Sequence, residues 1–286
     1  GMVKLQESSE AFIITGVDFS FIVNRKNGEV TDFTYKNTKL LRTGLRPNFW
    51  RALTDNDLGN KMQEWAAVWK DAGAKAKLLK CEVVRQSPQQ IIVESSYSLT
   101  TIESTLKVTY TISPDASVRV DYLFTPGAKK LPNIPRVGLS LTLPVEFQYM
   151  NWYGRGPHES YWDRKTSAAI GIYKGTVWEQ SYLYPRPQET GNKTDVRWMS
   201  LTNKEGIGLR VESISQVLSS SAWQFEQNDL DYRTGKGTSA SGLVPPVAGH
   251  SYDVVPRDFI TWNIDMLQMG VGGDNSWGAP VHDEYI

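Results

Sequence analysis

Apolar and polar residues alternate with a period of two along most of this chain. A segment patterned in that way buries one of its sides only as a β-strand. Phe19-Ser20-Phe21-Ile22-Val23 leads into Asn27-Gly28 and then Val30-Thr31-Asp32-Phe33-Thr34-Tyr35, the pattern of a hairpin. Ile91 to Leu99, Thr105 to Ile112 and Val118 to Phe124 are rich in β-branched and aromatic residues, with Ser113-Pro114-Asp115 as a turn between the last two. Three adjacent antiparallel strands are expected there, and further strands over Ala168 to Tyr173, Arg197 to Thr202, Ile207 to Val211, Ser219 to Phe225 and Phe259 to Met266. Helical spacing is confined to Met62, Trp65, Ala66, Trp69 and Gly73, which predicts one short amphipathic helix from about Lys61 to Ala72.

The pattern therefore predicts an all-β chain built as one large antiparallel β-sandwich with one short helix. A length of 286 residues accommodates one large β domain or two ordinary ones. No Ser-, Pro- or Gly-rich stretch reads as a linker, so a single domain over 1–286 is expected, with Thr234 to Gly249 as a long surface loop. No repeat of strand plus helix would build a (β/α) barrel. Lys+Arg and Asp+Glu both number 31, so no net field draws in nucleic acid or an anionic membrane. No apolar run reaches the length of a membrane helix, and a soluble protein, cytoplasmic or periplasmic, is expected. Cys81 is the sole cysteine and reads as a small buried apolar side chain. The opening Gly1-Met2 reads as a scar ahead of an excised segment.

Four motifs carry the chemistry. Asn48 to Gly59 sets an aromatic pair and Arg51 beside Asp55, Asn56 and Asp57. The three polar residues resemble a calcium-type oxygen cluster but lack the EF-hand spacing, and an Asx-rich turn tied by Arg51 is favoured, with no metal. Gly154-Arg155-Gly156-Pro157-His158-Glu159, followed by Asp163-Arg164-Lys165, offers His158 and Glu159 as an acid/base pair. Neighbours on a strand point to opposite faces, so a loop stabilised by Arg155 and Arg164 is favoured. Pro187 to Asn192 presents Gln188, Glu189 and Asn192, for either a sugar-facing loop or a polar network. Gly270 to His282 holds four glycines in nine residues, with Trp277 as a flat surface amid Asp274, Asn275 and Ser276, the chemistry of a sugar contact. Histidines at 158, 250 and 282 fit no zinc motif, and no nucleophile elbow or phosphate loop is present.

In this order and at these separations, the four motifs resemble the C-terminal domain of large bacterial β-galactosidases, glycoside hydrolase family two, over nearly the whole chain. The resemblance implies a supersandwich similar to galactose mutarotase, cut from a multidomain enzyme whose catalytic (β/α) barrel holds both catalytic glutamates. No catalytic residue is then expected here, because retaining hydrolysis needs two carboxylates about 5 to 5.5 Å apart. The resemblance implies that Trp277, with Asp274 and Asn275, forms a wall of the galactoside site, the other motif residues holding loops. It implies no cofactor in this domain, magnesium and sodium in the barrel, the remaining domains as partners and a homo-oligomeric parent. Leu53 stands where the family usually has proline, and family members continue past Ile286 into a further strand or two. Two other classes stay open. One is a stand-alone carbohydrate-binding module; the other is a mutarotase-like aldose epimerase using His158 with Glu159, or His250.

Overall fold

The computed structural model describes residues 1–128, 130–231, 233–234, 243–244 and 250–286. It divides into two compact units, residues 1–47 with 71–131, and residues 48–70 with 132–286. Apart from residues 234 and 243–244, segment 234–249, expected as a surface loop, lies outside the described residues.

In the first unit, β1 (Lys4–Glu7), β2 (Ala11–Thr15), β3 (Phe19–Asn24), β4 (Val30–Tyr35) and β5 (Thr38–Lys39) form one sheet in that order. Short β6 follows over Thr43–Asn48. The hairpin expected around Asn27-Gly28 forms, pairing Phe19 with Tyr35 and Phe21 with Phe33. Its turn is longer than a two-residue one, because the Asn24 side chain and carbonyl collect the amides of Lys26 and Gly28, the latter at φ 73°. A second sheet runs β10-β9-β8-β7, from β7 (Lys77–Ser87), β8 (Gln90–Leu99), β9 (Ser104–Ile112) and β10 (Val118–Thr125). The three expected neighbours are thus adjacent and antiparallel. Strict alternation along β8 and β9 puts Ile91, Val93, Leu106, Val108, Tyr110 and Ile112 in the core. Phe21 meets Tyr110 at 5.7 Å between ring centres. Cys81, expected to be buried, is only half-buried, its sulfur 3.4 Å from the Ser95 hydroxyl, which donates to it.

The second unit holds β11 (Arg136–Pro144), β12 (Tyr149–Gly156), β13 (Ala169–Thr176), β14 (Lys193–Val196), β15 (Trp198–Thr202), β16 (Gly208–Glu212) and β17 (Leu218–Trp223). After the short pair β18 (Arg233–Thr234) and β19 (Leu243–Val244) comes the long β20 (Phe259–Gln268). One sheet contains the order β14-β17-β20-β11 and another runs β13-β12-β15-β16. Ala52, Trp223, Phe225, Leu230 and Val254 pack together, with the Trp223 indole donating to the Thr190 carbonyl at 2.8 Å.

The fold is all-β with few short helices, but its strands fall into several small sheets instead of one continuous sandwich. Period-two patterning marks which residues are strands and which face is apolar; it does not choose each strand's neighbour. The single helix expected over 61–72 is also corrected. It is two short pieces, α2 (Met62–Trp65) and α3 (Ala67–Lys70), preceded by a separate α1 (Asp55–Gly59) and followed much later by α4 (Gln227–Leu230). Lys61 is left-handed at φ 61° and Ala66 leaves helical geometry at ψ 4°, so no continuous helical ladder forms. Met62, Ala66 and Trp69 are nevertheless all buried, as their spacing requires.

Candidate functional site

The motif at residues 50–59 fixes the base of the C-terminal glycine loop. Thr54 caps α1, its hydroxyl accepting from the Asp57 amide while the Asp57 carboxylate accepts from the Thr54 amide, both at 3.1 Å. The same carboxylate receives Arg51 Nε at 3.1 Å and Nη2 at 2.9 Å. Arg51 is fully buried, and its remaining donors reach the carbonyls of Met269 (2.5 Å) and Gly270 (2.8 Å). Burial works to lower the Arg51 pKa, but the charge and hydrogen bonds of Asp57 hold it above its ordinary value. Asn56 grips the far end of the loop, its amide donating to the Ala279 carbonyl (3.1 Å) and accepting from the Gly278 amide (2.7 Å). Asp55 turns away to Arg186 (2.7 Å) and Gln188 (3.1 Å). The three polar side chains thus each serve a different partner, and no group of His, Cys, Asp or Glu suited to a metal occurs among the described residues.

Held in this way, the loop runs outward. Gly272, Gly273 and Gly278 all have positive φ, a conformation that side chains resist. At its tip Trp277 is 74% exposed, so it is not packed in the core. Asp274 meets His282 Nε2 at 2.9 Å, and Asn275 accepts from the Ser276 amide at 2.7 Å. Both side chains are exposed beside the indole on the same loop.

His158 and Glu159 lie beyond the end of β12, so strand alternation does not separate them, and both line one surface depression. His158 Nε2 sits 3.1 Å from the Ser167 hydroxyl. Glu159 accepts from Arg164 (2.6 Å), the Tyr184 hydroxyl and the Gly191 amide (2.8 Å), a set that leaves it little capacity as a free base. Arg155 instead pairs with Asp195 at 2.5 Å, where Lys165 joins at 3.0 Å. Asn192 donates to the Ser160 carbonyl at 2.9 Å. Gln188 bridges to Asp55, accepting from its amide at 3.1 Å. Glu189 is buried against Arg136 at 3.3 Å, and burial raises its pKa against the opposing pull of Arg136 and Arg51.

The family model described as beta galactosidase small chain matches residues 15–286. The chain belongs to that family. It is 37% identical over 99% of its length to a beta-galactosidase of Priestia megaterium, 26% of which it covers. It is 33% identical over its full length to a beta-galactosidase of Lactobacillus delbrueckii subsp. bulgaricus and 32% to one of Halalkalibacterium halodurans, covering 26% and 27% of them. The chain thus spans about a quarter of the length of these curated relatives. Among solved structures, a putative aldose 1-epimerase from Escherichia coli K12 aligns with 89% of this chain and 98% of its own, at 11% identity and a TM-score of 0.40. A likeness that weak carries no argument.

In this member of the small-chain family, several anchors of the loop had no prominence in the sequence. Asp163 accepts the amides of Val271 (3.0 Å) and Gly272 (2.6 Å), and the Trp162 indole donates to the Glu284 carbonyl at 3.1 Å. Gly59 lies against the loop so closely that a Cβ there would stand 2.6 Å from Gly278 Cα. Asp163 was visible beside Arg164 in the second motif, but nothing in its spacing tied it to residues more than a hundred positions later. Buried Arg136, Asp265 and Lys193 left a weaker trace, a charged residue within an otherwise β-patterned segment. Burial lowers the Lys193 pKa to about 8, with Glu159 partly opposing.

Proposed function

We propose that this chain is the noncatalytic C-terminal part of a β-galactosidase, and that its Trp277 loop forms one wall of the galactoside site of a neighbouring (β/α) barrel. The observation that carries the reading is an exposed indole at the tip of a loop fixed at both ends by Arg51 and Asn56. A large aromatic surface held outward without a covering side chain suits the apolar C–H face of a sugar. Membership of the small-chain family supports the parent activity, hydrolysis of terminal β-galactosides, and a multidomain, homo-oligomeric enzyme. Magnesium and sodium would be held by the barrel, outside this chain.

On this reading the chain supplies no catalytic carboxylate: Glu159 is engaged by hydrogen bonds, and Glu189 and Asp265 are buried away from substrate. The purified 286-residue chain is therefore expected not to release nitrophenol from a nitrophenyl galactoside. Turnover above buffer background that survives repurification overturns the noncatalytic assignment.

A further inference from the structure

A depression of about 360 Å³ opens on the second unit, lined by His158, Glu159, Arg164, Ser167, Tyr182 and Tyr184. That volume lies at the small end of ligand pockets. Its frame is fixed by hydrogen bonds that the lining groups make to one another and to the backbone beneath. Glu159 binds Arg164, the Tyr184 hydroxyl and the Gly191 amide at once. Thr190, itself buried, accepts from the Tyr182 amide and donates to the Tyr182 carbonyl, each at 2.8 Å. The Tyr182 ring, 62% exposed, is thus presented from a pinned backbone, edge-on to Tyr184 at 4.6 Å between ring centres. A preformed surface of this kind loses little freedom on binding.

The polar capacity left over is specific. Arg164 spends Nη2 on Glu159 and Tyr184, and its other N–H groups find no hydrogen-bond acceptor among the described residues. His158 engages Ser167 through Nε2, leaving Nδ1 for a ligand. The Arg164 charge is already met by Glu159 at 2.6 Å, so an anion gains little here. A neutral, hydroxyl-rich ring with one apolar face fits all three features.

The geometry points to a binding site for a neutral pyranose in this depression, stacked on Tyr182 with hydroxyls toward Arg164 and His158. It uses none of the Trp277 loop and stands independently of the galactoside-wall reading. Saturation-transfer NMR on the 286-residue chain with methyl β-galactoside and methyl β-glucoside tests it. Binding is expected in the low millimolar range, about 1 to 20 mM. Tyr182→Ala should weaken it at least about ten-fold, Tyr182→Phe should retain it, and Arg164→Lys should weaken it several-fold, while Trp277→Ala leaves it unchanged. The proposal is overturned by absence of transfer up to about 50 mM sugar. It is equally overturned by displacement with inorganic phosphate, or by loss in Trp277→Ala but not in Tyr182→Ala, which would assign the sugar to the C-terminal loop.

Discussion

Arg51 and Trp277 are opposite cases of how one residue serves this loop. Arg51 makes no outward contact, yet it ties the Asp57 carboxylate to two carbonyls more than two hundred residues away. Removing it strands a buried carboxylate, so Arg51→Ala should destabilise the second unit by about 3 to 5 kcal/mol, read by denaturant unfolding. A loss below about 1 kcal/mol would mean that the pair is dispensable. Trp277, by contrast, contributes exposed surface, and its removal should cost the fold little. Residue types and their order disclosed both side chains in advance; their partners were not disclosed. Arg51 was linked in sequence to Asp57, six residues on, but its bonds to Met269 and Gly270 depend on a tertiary approach that no local spacing encodes.

At the scale of elements, α1 and the C-terminal loop meet backbone to backbone at Gly59 and Gly278. A methyl group at Gly59 would stand 2.6 Å from Gly278 Cα and 3.1 Å from the Trp277 ring, and backbone cannot yield as a flexible side chain can. Gly59→Ala should therefore displace the loop, seen as a changed Trp277 emission relative to the Trp277→Ala difference spectrum. An unchanged spectrum would show that α1 does not position the indole. The strands themselves were legible, since alternation over Ile91–Leu99 follows directly from one buried face, although the equally alternating Phe259–Met266 is buried on both. The helical segment was legible only as a face. Met62, Ala66 and Trp69 are buried as their spacing required, but the left-handed Lys61 and the break at Ala66 come from tertiary packing that overrides local periodicity. Assignment of strands to separate sheets was equally out of reach, because neighbours are chosen by long-range pairing.

For the molecule as a whole, the buried cluster of Arg136, Glu189 and Asp265 makes stability depend on pH. Arg136 Nε approaches Asp265 Oδ2 to 3.2 Å without hydrogen-bond alignment, so both Asp265 oxygens lack a hydrogen bond among the described residues. Burial raises the Asp265 pKa to about 7, with Arg136 opposing and Glu189 adding to the rise. The folded state thus holds this proton more tightly than the unfolded chain, whose carboxyl titrates near 3.8. The stabilisation is present below that value and is lost as pH climbs toward and through about 7. Asp265→Asn should flatten the fall in melting temperature between about pH 5 and 8, and an unaltered slope would refute the assignment. The chain spans about a quarter of the length of its relatives, so the proposed galactoside role is tested in a full-length enzyme that contains it. The most direct measurement is the steady-state kinetics and melting temperature of Trp277→Ala in that full-length enzyme. The expected result is a KM raised up to about ten-fold, kcat largely retained and melting unchanged, as loss of one aromatic contact of roughly 0.5 to 1.5 kcal/mol requires. An unchanged KM accompanied by a large loss of thermal stability would contradict the account.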